Sequence, residues 1–298
     1  MDPILHWGVQ PILWLQQFSP ALDLPFIGLT QLGSEEFLVP AVALVFWCLD
    51  RRHGARLAML LLFSVWLNAV AKELVSQPRP FAFDPAVRMI FPASGGGLPS
   101  GHTQNTVVLW GYLAWAFRRR WLTVLAGALM VLVPLSRLYL GVHFPTDLLG
   151  GYLVGAFLLW GYIRLEPVAE GWVHRRTLGW QVALALGLPG VLLLLHPSAD
   201  EALVTGLATF TGMGLAFIHE RRWVGFEAPA GTRERLACFV LGILVVLGLR
   251  FGLKAGLTGL EPEVVFRFAR YILIGLWAGV GAPWAFVRLG WAPAPGRQ

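Results

Sequence analysis

Nine apolar runs decide what this chain can become. They occupy residues 34–50, 57–75, 102–117, 121–137, 147–163, 179–195, 202–219, 236–253 and 265–287. A helix that crosses the hydrocarbon core of a bilayer needs about 20 mainly apolar residues at about 1.5 Å each, and these runs approach that length one after another. Inside lipid every backbone N–H and C=O must find a partner within the protein, so only helical bundles and closed barrels span it. Long strands of alternating polar and apolar residues, the mark of a membrane barrel, do not occur in the sequence. The expectation is an all-α, polytopic membrane helical bundle with about nine transmembrane helices. Composition agrees: 56% of the residues are hydrophobic and 13% charged, against about a quarter charged in soluble domains.

The formal charge of +6 matters less than where the cations sit. They cluster at Arg51, Arg52 and Arg56; at Arg118, Arg119 and Arg120; at Arg164, Arg175 and Arg176; at Arg221, Arg222, Arg233 and Arg235; and at Arg288 and Arg297. These places hold 15 of the 23 Lys and Arg residues and fall at every second helix end, while the first 33 residues hold none. Short basic loops stay in the cytoplasm, so the N-terminus is expected outside and the C-terminus inside a cell (inner or plasma) membrane. The basic balance is therefore a topology signal rather than a nucleic-acid footprint. Cys48 and Cys238 lie near helix ends on the reducing side, which argues against a disulfide. No metal-type cysteine spacing is present.

Residues 1–33 read as an N-terminal interfacial segment, whose stretch PILHWGVQPILWLQQF (3–18) forms an amphipathic helix broken by Pro11. A tenth span over 3–30 is the rival reading. Residues 34–165 carry every polar feature with chemical potential, and 166–298 add further transmembrane helices without a recognisable motif. The Pro- and Gly-rich stretch 76–101 is a loop of about 26 residues, longer than most connections, and such loops are often functional. Its SGGG run at 94–97 reads as a flexible linker. Trp47 and Trp121, near span ends, read as interface anchors.

Three polar places fall on the outer face in this topology. KELVSQPRP brings Lys72 and Arg79, PSGH brings Ser100, Gly101 and His102, and SRLYLGVHFPTD brings Arg137, His143 and Asp147. Cations at the membrane edge are functional suspects by default. Arg grips a tetrahedral anion with two parallel N–H bonds, and Lys adds a point charge. Ser100 is a natural N-cap, Gly101 permits close approach, and the free N–H groups of the helical turn that follows suit a phosphate. Pro145 suits a first helical turn, from which Asp147 can fold back onto His143. A carboxylate on one imidazole nitrogen fixes the tautomer and leaves the other as a nucleophile toward phosphorus. His102 can protonate the departing oxygen and then activate water, while the cations stabilise the charge of the transition state. This scheme needs no metal and no cofactor. His6, His53, His174, His196 and His219 lack such company and read as packing residues. Arg250, Lys254, Arg267 and Arg270, toward the outer side, are expected to pair with Glu261 and Glu263.

The set K-x6-RP (Lys72 to Pro80), PSGH (99–102) and SR-x5-H-x3-D (136–147) resembles the type-2 phosphatidic acid phosphatase superfamily, with every signature position matched in order over about residues 34–165. The resemblance implies that His143 is the phosphorylated nucleophile, Asp147 its orienting partner and His102 the acid/base. It implies that Lys72, Arg79, Ser100, Gly101 and Arg137 bind the phosphoryl group. The expected activity is hydrolysis of a membrane lipid phosphate monoester or diphosphate on the extracytoplasmic side. The alternatives are phosphotransfer to a lipid or sugar hydroxyl, a glucose-6-phosphatase-like activity on a soluble ester, vanadium haloperoxidase chemistry, and, outside the enzymes, a lipid transporter with a vestigial site.

Overall fold

The computed structural model describes residues 2–195, 201–257 and 262–294, and among them there is no strand. Each of the nine apolar runs is helical. In chain order the elements are α1 (Asp2–Gln16), α2 (Asp23–Gln31), α3 (Glu35–Leu44, extended by a π turn over Val45–Leu49), α4 (Arg51–Val75), the short α5 (Pro80–Phe83), α6 (Gly101–Phe117) and α7 (Arg120–Tyr139). They continue with α8 (Pro145–His174), α9 (Leu178–Leu194), α10 (Glu201–His219), α11 (Thr232–Gly256), α12 (Glu263–Leu276) and α13 (Ala282–Arg288), with π turns at Glu220–Val224 and Trp277–Gly281. Among the described residues six helices are long and apolar enough to cross a membrane by length and composition. A seventh results if α2 and α3, bent by 47° at their break, count as one span. Helices α6 and α9, with 17 residues each, are shorter.

The chain divides into two compact units, Met1–Leu38 with Leu67–Leu165, and Val39–Trp66 with Glu166–Gln298. In the first, α1 runs unbroken through Pro11, contrary to the reading of 3–18 as a broken helix. Its Leu5, Val9, Ile12 and Gln16 are all buried. They recur at the spacing of one helix face, and packing of that face against Val87 and Phe144 holds the helix together where Pro11 removes one hydrogen bond. Gln16 closes the contact: its Nε2 donates to the carbonyls of Arg88 (2.7 Å) and Tyr139 (3.1 Å), and its Oε1 accepts from Arg88 N (3.1 Å). Two separate helices, of 15 and 9 residues, also replace the idea of one span over 3–30. Helix α8 lies close to α6 because Gly151 and Gly155 leave no side chain there; a Cβ would meet Ser100 O at 2.7 Å and Gln104 O at 2.9 Å. Small residues at four-residue spacing let helix backbones approach in this way.

In the second unit Arg51 pairs with Glu220 (3.1 Å), and Arg56 with Glu166 (2.6 Å) and Glu170 (2.5 Å), joining helix ends from three of the basic clusters. Trp47 is 1% exposed and donates from Nε1 to Ala278 O at 2.9 Å. It is a core residue and not an interface anchor, because the glycine at 242 leaves room for its ring; Trp121 is exposed. Arg267 pairs with Glu263 and, at 2.5 Å, with Glu201, whereas Glu261, His196 and Arg297 lie outside the described residues. Cys48 and Cys238 are buried free thiols.

Candidate active site

Four helix ends and one loop of the first unit meet around His143. Ser100 caps α6: its Oγ accepts from Thr103 N (3.4 Å) and from the Thr103 hydroxyl (3.1 Å). Gly101 then opens the helix and places His102 in its first turn. Arg137 sits in the last turn of α7, and the five residues 140–144 carry the chain to Pro145, the first residue of α8. Asp147, in the first turn of α8, also holds the cradle through its main chain, because its carbonyl accepts from Ser100 N at 2.9 Å.

The geometry of the His143–Asp147 pair is well defined. Nδ1 of His143 lies 3.1 Å from Asp147 Oδ2, which also accepts from Phe144 N at 2.9 Å. The other carboxylate oxygen accepts from Gln77 Nε2 at 2.6 Å. His143 and Asp147 are 1% and 0% exposed. A proton on Nδ1 shared with the carboxylate leaves the lone pair on Nε2, and Nε2 faces Arg79 Nη1 at 3.4 Å. Burial, and then the fields of Arg137, Arg79 and Lys72, hold the His143 imidazole well below its ordinary pKa. This disfavours the protonated ring, and Arg79 Nη1 is the side-chain donor that faces Nε2. Lys72, Arg79 and Arg137 act electrostatically on His102 as well as on His143, so all the residues named from the sequence are gathered in one place.

The two arginines are held differently. Arg79 donates to three carbonyls: Nε to Gly95 O (3.0 Å), Nη2 to Ser94 O (2.6 Å) and Nη1 to Val142 O (2.8 Å). Residues 94–97 are therefore a strap tied down through its carbonyls and not a flexible linker. Gly95 supplies a positive φ at an exposed turn, whereas Gly96 and Gly97 serve contact: a Cβ at Gly96 would come within 3.2 Å of Lys72 O, and one at Gly97 within 3.0 Å of Asp147 Oδ2 and 3.2 Å of Pro78 O. Arg137, 3% exposed, donates from Nη1 to Thr30 Oγ1 at 2.6 Å, and its buried Nε has no partner. A buried guanidinium donor without an acceptor is costly.

Gln77 and Thr30 were not legible as site residues. Gln77 lies among the six unspecified positions of K-x6-RP, and Thr30 lies before the region that carries the motifs. Each acts through a contact distant in sequence, 70 and 107 residues away. Among the described residues no group of three or more His, Cys, Asp or Glu side chains could hold a metal ion. His6 packs edge-on against Phe83, and His219 against Trp223.

Comparison with known proteins meets the same region. Residues 53–169 match the family model described as the PAP2 superfamily, and residues 204–294 match its companion, the PAP2 superfamily phosphatase transmembrane extension. Phosphatidylglycerophosphatase B of Bacillus subtilis (strain 168) is 34% identical over 156 residues, covering 47% of this chain and 73% of the relative. Glucose-6-phosphatase 3 of Mus musculus is 26% identical over 351 residues, covering 99% of each chain. A crystal structure of a PAP2-type phosphatidylglycerolphosphate phosphatase from Bacillus subtilis aligns with a TM-score of 0.48 at 26% identity, covering 56% of this chain and 88% of that one. The motifs, the two family models and the relative at 34% identity agree: the chain belongs to the type-2 phosphatidic acid phosphatase (PAP2) superfamily of membrane phosphatases.

Proposed function

We propose that this protein hydrolyses a lipid phosphate monoester or diphosphate through a phosphohistidine, without a metal, at a site on the extracytoplasmic side of a cell membrane. The observation that carries this reading is the buried His143–Asp147 pair, on which the charges of Arg137, Arg79 and Lys72 all act. Such an arrangement calls for a compact polyanion next to a neutral nucleophile. Nε2 of His143 attacks phosphorus and forms the N–P bond as the P–O bond to the leaving group breaks. His102 supplies the proton that the departing oxygen takes. Water then attacks phosphorus, His102 takes its proton, the N–P bond breaks, and inorganic phosphate leaves. Lys72, Arg79, Arg137 and the α6 N-terminus with Ser100 and Gly101 hold the equatorial oxygens. Asp147 supports positive charge on the phosphorylated ring.

Residues 34–165 form the catalytic core in this reading, with 1–33 bracing it from the interface and 166–298 adding transmembrane helices. Nine crossings, N-terminus out and C-terminus in, agree with ion pairs that join helix ends from three basic clusters. A lipid substrate is supported by the names of relatives, phosphatidylglycerophosphatase B among them. A soluble phosphate ester is the second reading, favoured by the full-length match to glucose-6-phosphatase 3.

The test is phosphate release by detergent-purified protein from phosphatidate, phosphatidylglycerol phosphate, sphingosine phosphate, undecaprenyl diphosphate and glucose 6-phosphate, each with and without EDTA. Release from a lipid ester, unaffected by EDTA and inhibited by vanadate, is the expected outcome. Dependence on added Mg²⁺ rejects the metal-free scheme, and release from glucose 6-phosphate alone rejects the lipid. In the same assay Thr30→Val is expected to raise KM roughly tenfold with a smaller effect on kcat, because a hydrogen bond to a charged group contributes about 1.5 kcal/mol or more. An unchanged KM would mean that Thr30 does not hold Arg137 in its binding position.

A further inference from the structure

The carboxylate of Asp147 receives two donors on one oxygen and a single donor on the other. Oδ2 takes His143 Nδ1 and Phe144 N, and Oδ1 takes Gln77 Nε2 at 2.6 Å, the shortest of the three. Terminal sp³–sp² torsions such as that of an Asp carboxylate are broad, so the plane in which the carboxylate meets the ring is set by its partners. Gln77 on Oδ1 fixes that plane together with Phe144 N on Oδ2. Gln77 is well suited to be fixed: it is 4% exposed, and its own carbonyl accepts from Gly97 N at 2.9 Å. The same Gly97 approaches Asp147 Oδ2 so closely that a Cβ there would stand 3.0 Å from it. Main chain and side chain of Gln77 thus tie the strap, the carboxylate and the imidazole into one unit.

We propose that Gln77 is a positioning residue for the His143–Asp147 pair, holding Oδ2 on Nδ1 through the phosphorylation cycle. The proposal rests on the reading of His143 as the nucleophile. The chemistry favours an amide at this position. A Lys or Arg would donate equally well but would neutralise the charge that supports a cationic phosphohistidine. A Glu would repel Asp147 wherever both are ionised. A Gln donates and leaves the full negative charge of the carboxylate for the ring, in a site already crowded with cations. Loss of a group that orients a functional residue in this way commonly costs about tenfold to a hundredfold.

The experiment compares kcat and KM of wild type, Gln77→Leu, Gln77→Glu and His143→Ala in detergent, from about pH 8 down to about pH 5.5, the range in which a carboxyl raised by a like-charged neighbour takes up its proton. Gln77→Leu is expected to lower kcat about tenfold to a hundredfold with KM within about twofold of wild type. Gln77→Glu is expected to be at least as impaired at the alkaline end and to recover relative to wild type as pH falls, because its protonated carboxyl donates to Oδ1 again. A residue that only fills space would leave Gln77→Leu, of similar volume, close to wild-type kcat. Wild-type kcat in Gln77→Leu, or a Gln77→Glu deficit that does not change with pH, overturns the proposal. If Gln77→Leu fails to fold, Gln77→Met, which keeps the length and lacks the donor, is read in its place with the same two outcomes. His143→Ala separates the two levels: turnover that survives in it refutes the nucleophile assignment, whereas a dead His143→Ala beside a fully active Gln77→Leu refutes only the role of Gln77.

Discussion

His143→Ala is expected to lower phosphate release by about 10⁴-fold or more, the scale on which enzymes lose rate when a nucleophile is removed, while the protein keeps its fold. The loss follows from position: Nδ1 is engaged by Asp147, which leaves Nε2, on the Arg79 side of the ring, as the nitrogen that can attack phosphorus. The survival of the fold follows from the partners that remain. Asp147 keeps Phe144 N and Gln77 Nε2, and Arg79 keeps its three carbonyls, so truncation at 143 leaves no buried charge stranded. Radiolabelled substrate should leave an acid-labile label on wild type and none on the variant. Retained turnover in a well-folded His143→Ala protein would remove the phosphohistidine from the mechanism.

Arg79→Lys should be the most damaging of the conservative changes, with phosphate release down about a hundredfold or more and the melting temperature down by roughly 10 °C. Lysine keeps the charge but presents three donors from one point, whereas Arg79 reaches Ser94 O, Gly95 O and Val142 O from three different nitrogens. A single ammonium cannot serve both the strap and Val142, and the Val142 carbonyl, in a fully buried residue, costs about 1–3 kcal/mol when it loses its donor. The same loss would release residues 94–97 from the His143 loop and let Asp147 shift toward the vacated space. Activity and melting temperature measured on one preparation check this. A Lys variant as stable as wild type would mean that the strap is held by something other than the guanidinium.

The helices were legible because lipid leaves a chain few choices. A long apolar run must satisfy its backbone internally, and all nine runs are helical in the structure. The motif residues were legible because Lys72, His102, Arg137, His143 and Asp147 are out of place among apolar neighbours. Other features escaped for physical reasons. Ser94 to Gly97 has the composition of a flexible linker, but the lack of side chains also lets a segment pack against a buried arginine. Trp47 resembles an interface anchor until Gly242, 195 positions later, supplies the space beneath its ring. Pro11 breaks a helix only where nothing else supports it, and α1 is supported along one whole face. Gln77 and Thr30 are ordinary polar residues until the chain closes on them.

That closure has a consequence for how the protein comes into being. Arg79 meets Val142 across 63 residues, Gln77 meets Asp147 across 70, and Arg137 meets Thr30 across 107. Arg137 can meet Thr30 once α7 is made, and Arg79 can meet Val142 once the loop before α8 exists, but Gln77 and His143 have no Asp147 until α8 itself arrives. Contacts of such long sequence separation form late. The first turnover of each molecule therefore marks the completion of its assembly, and a partly inserted chain is silent as an enzyme.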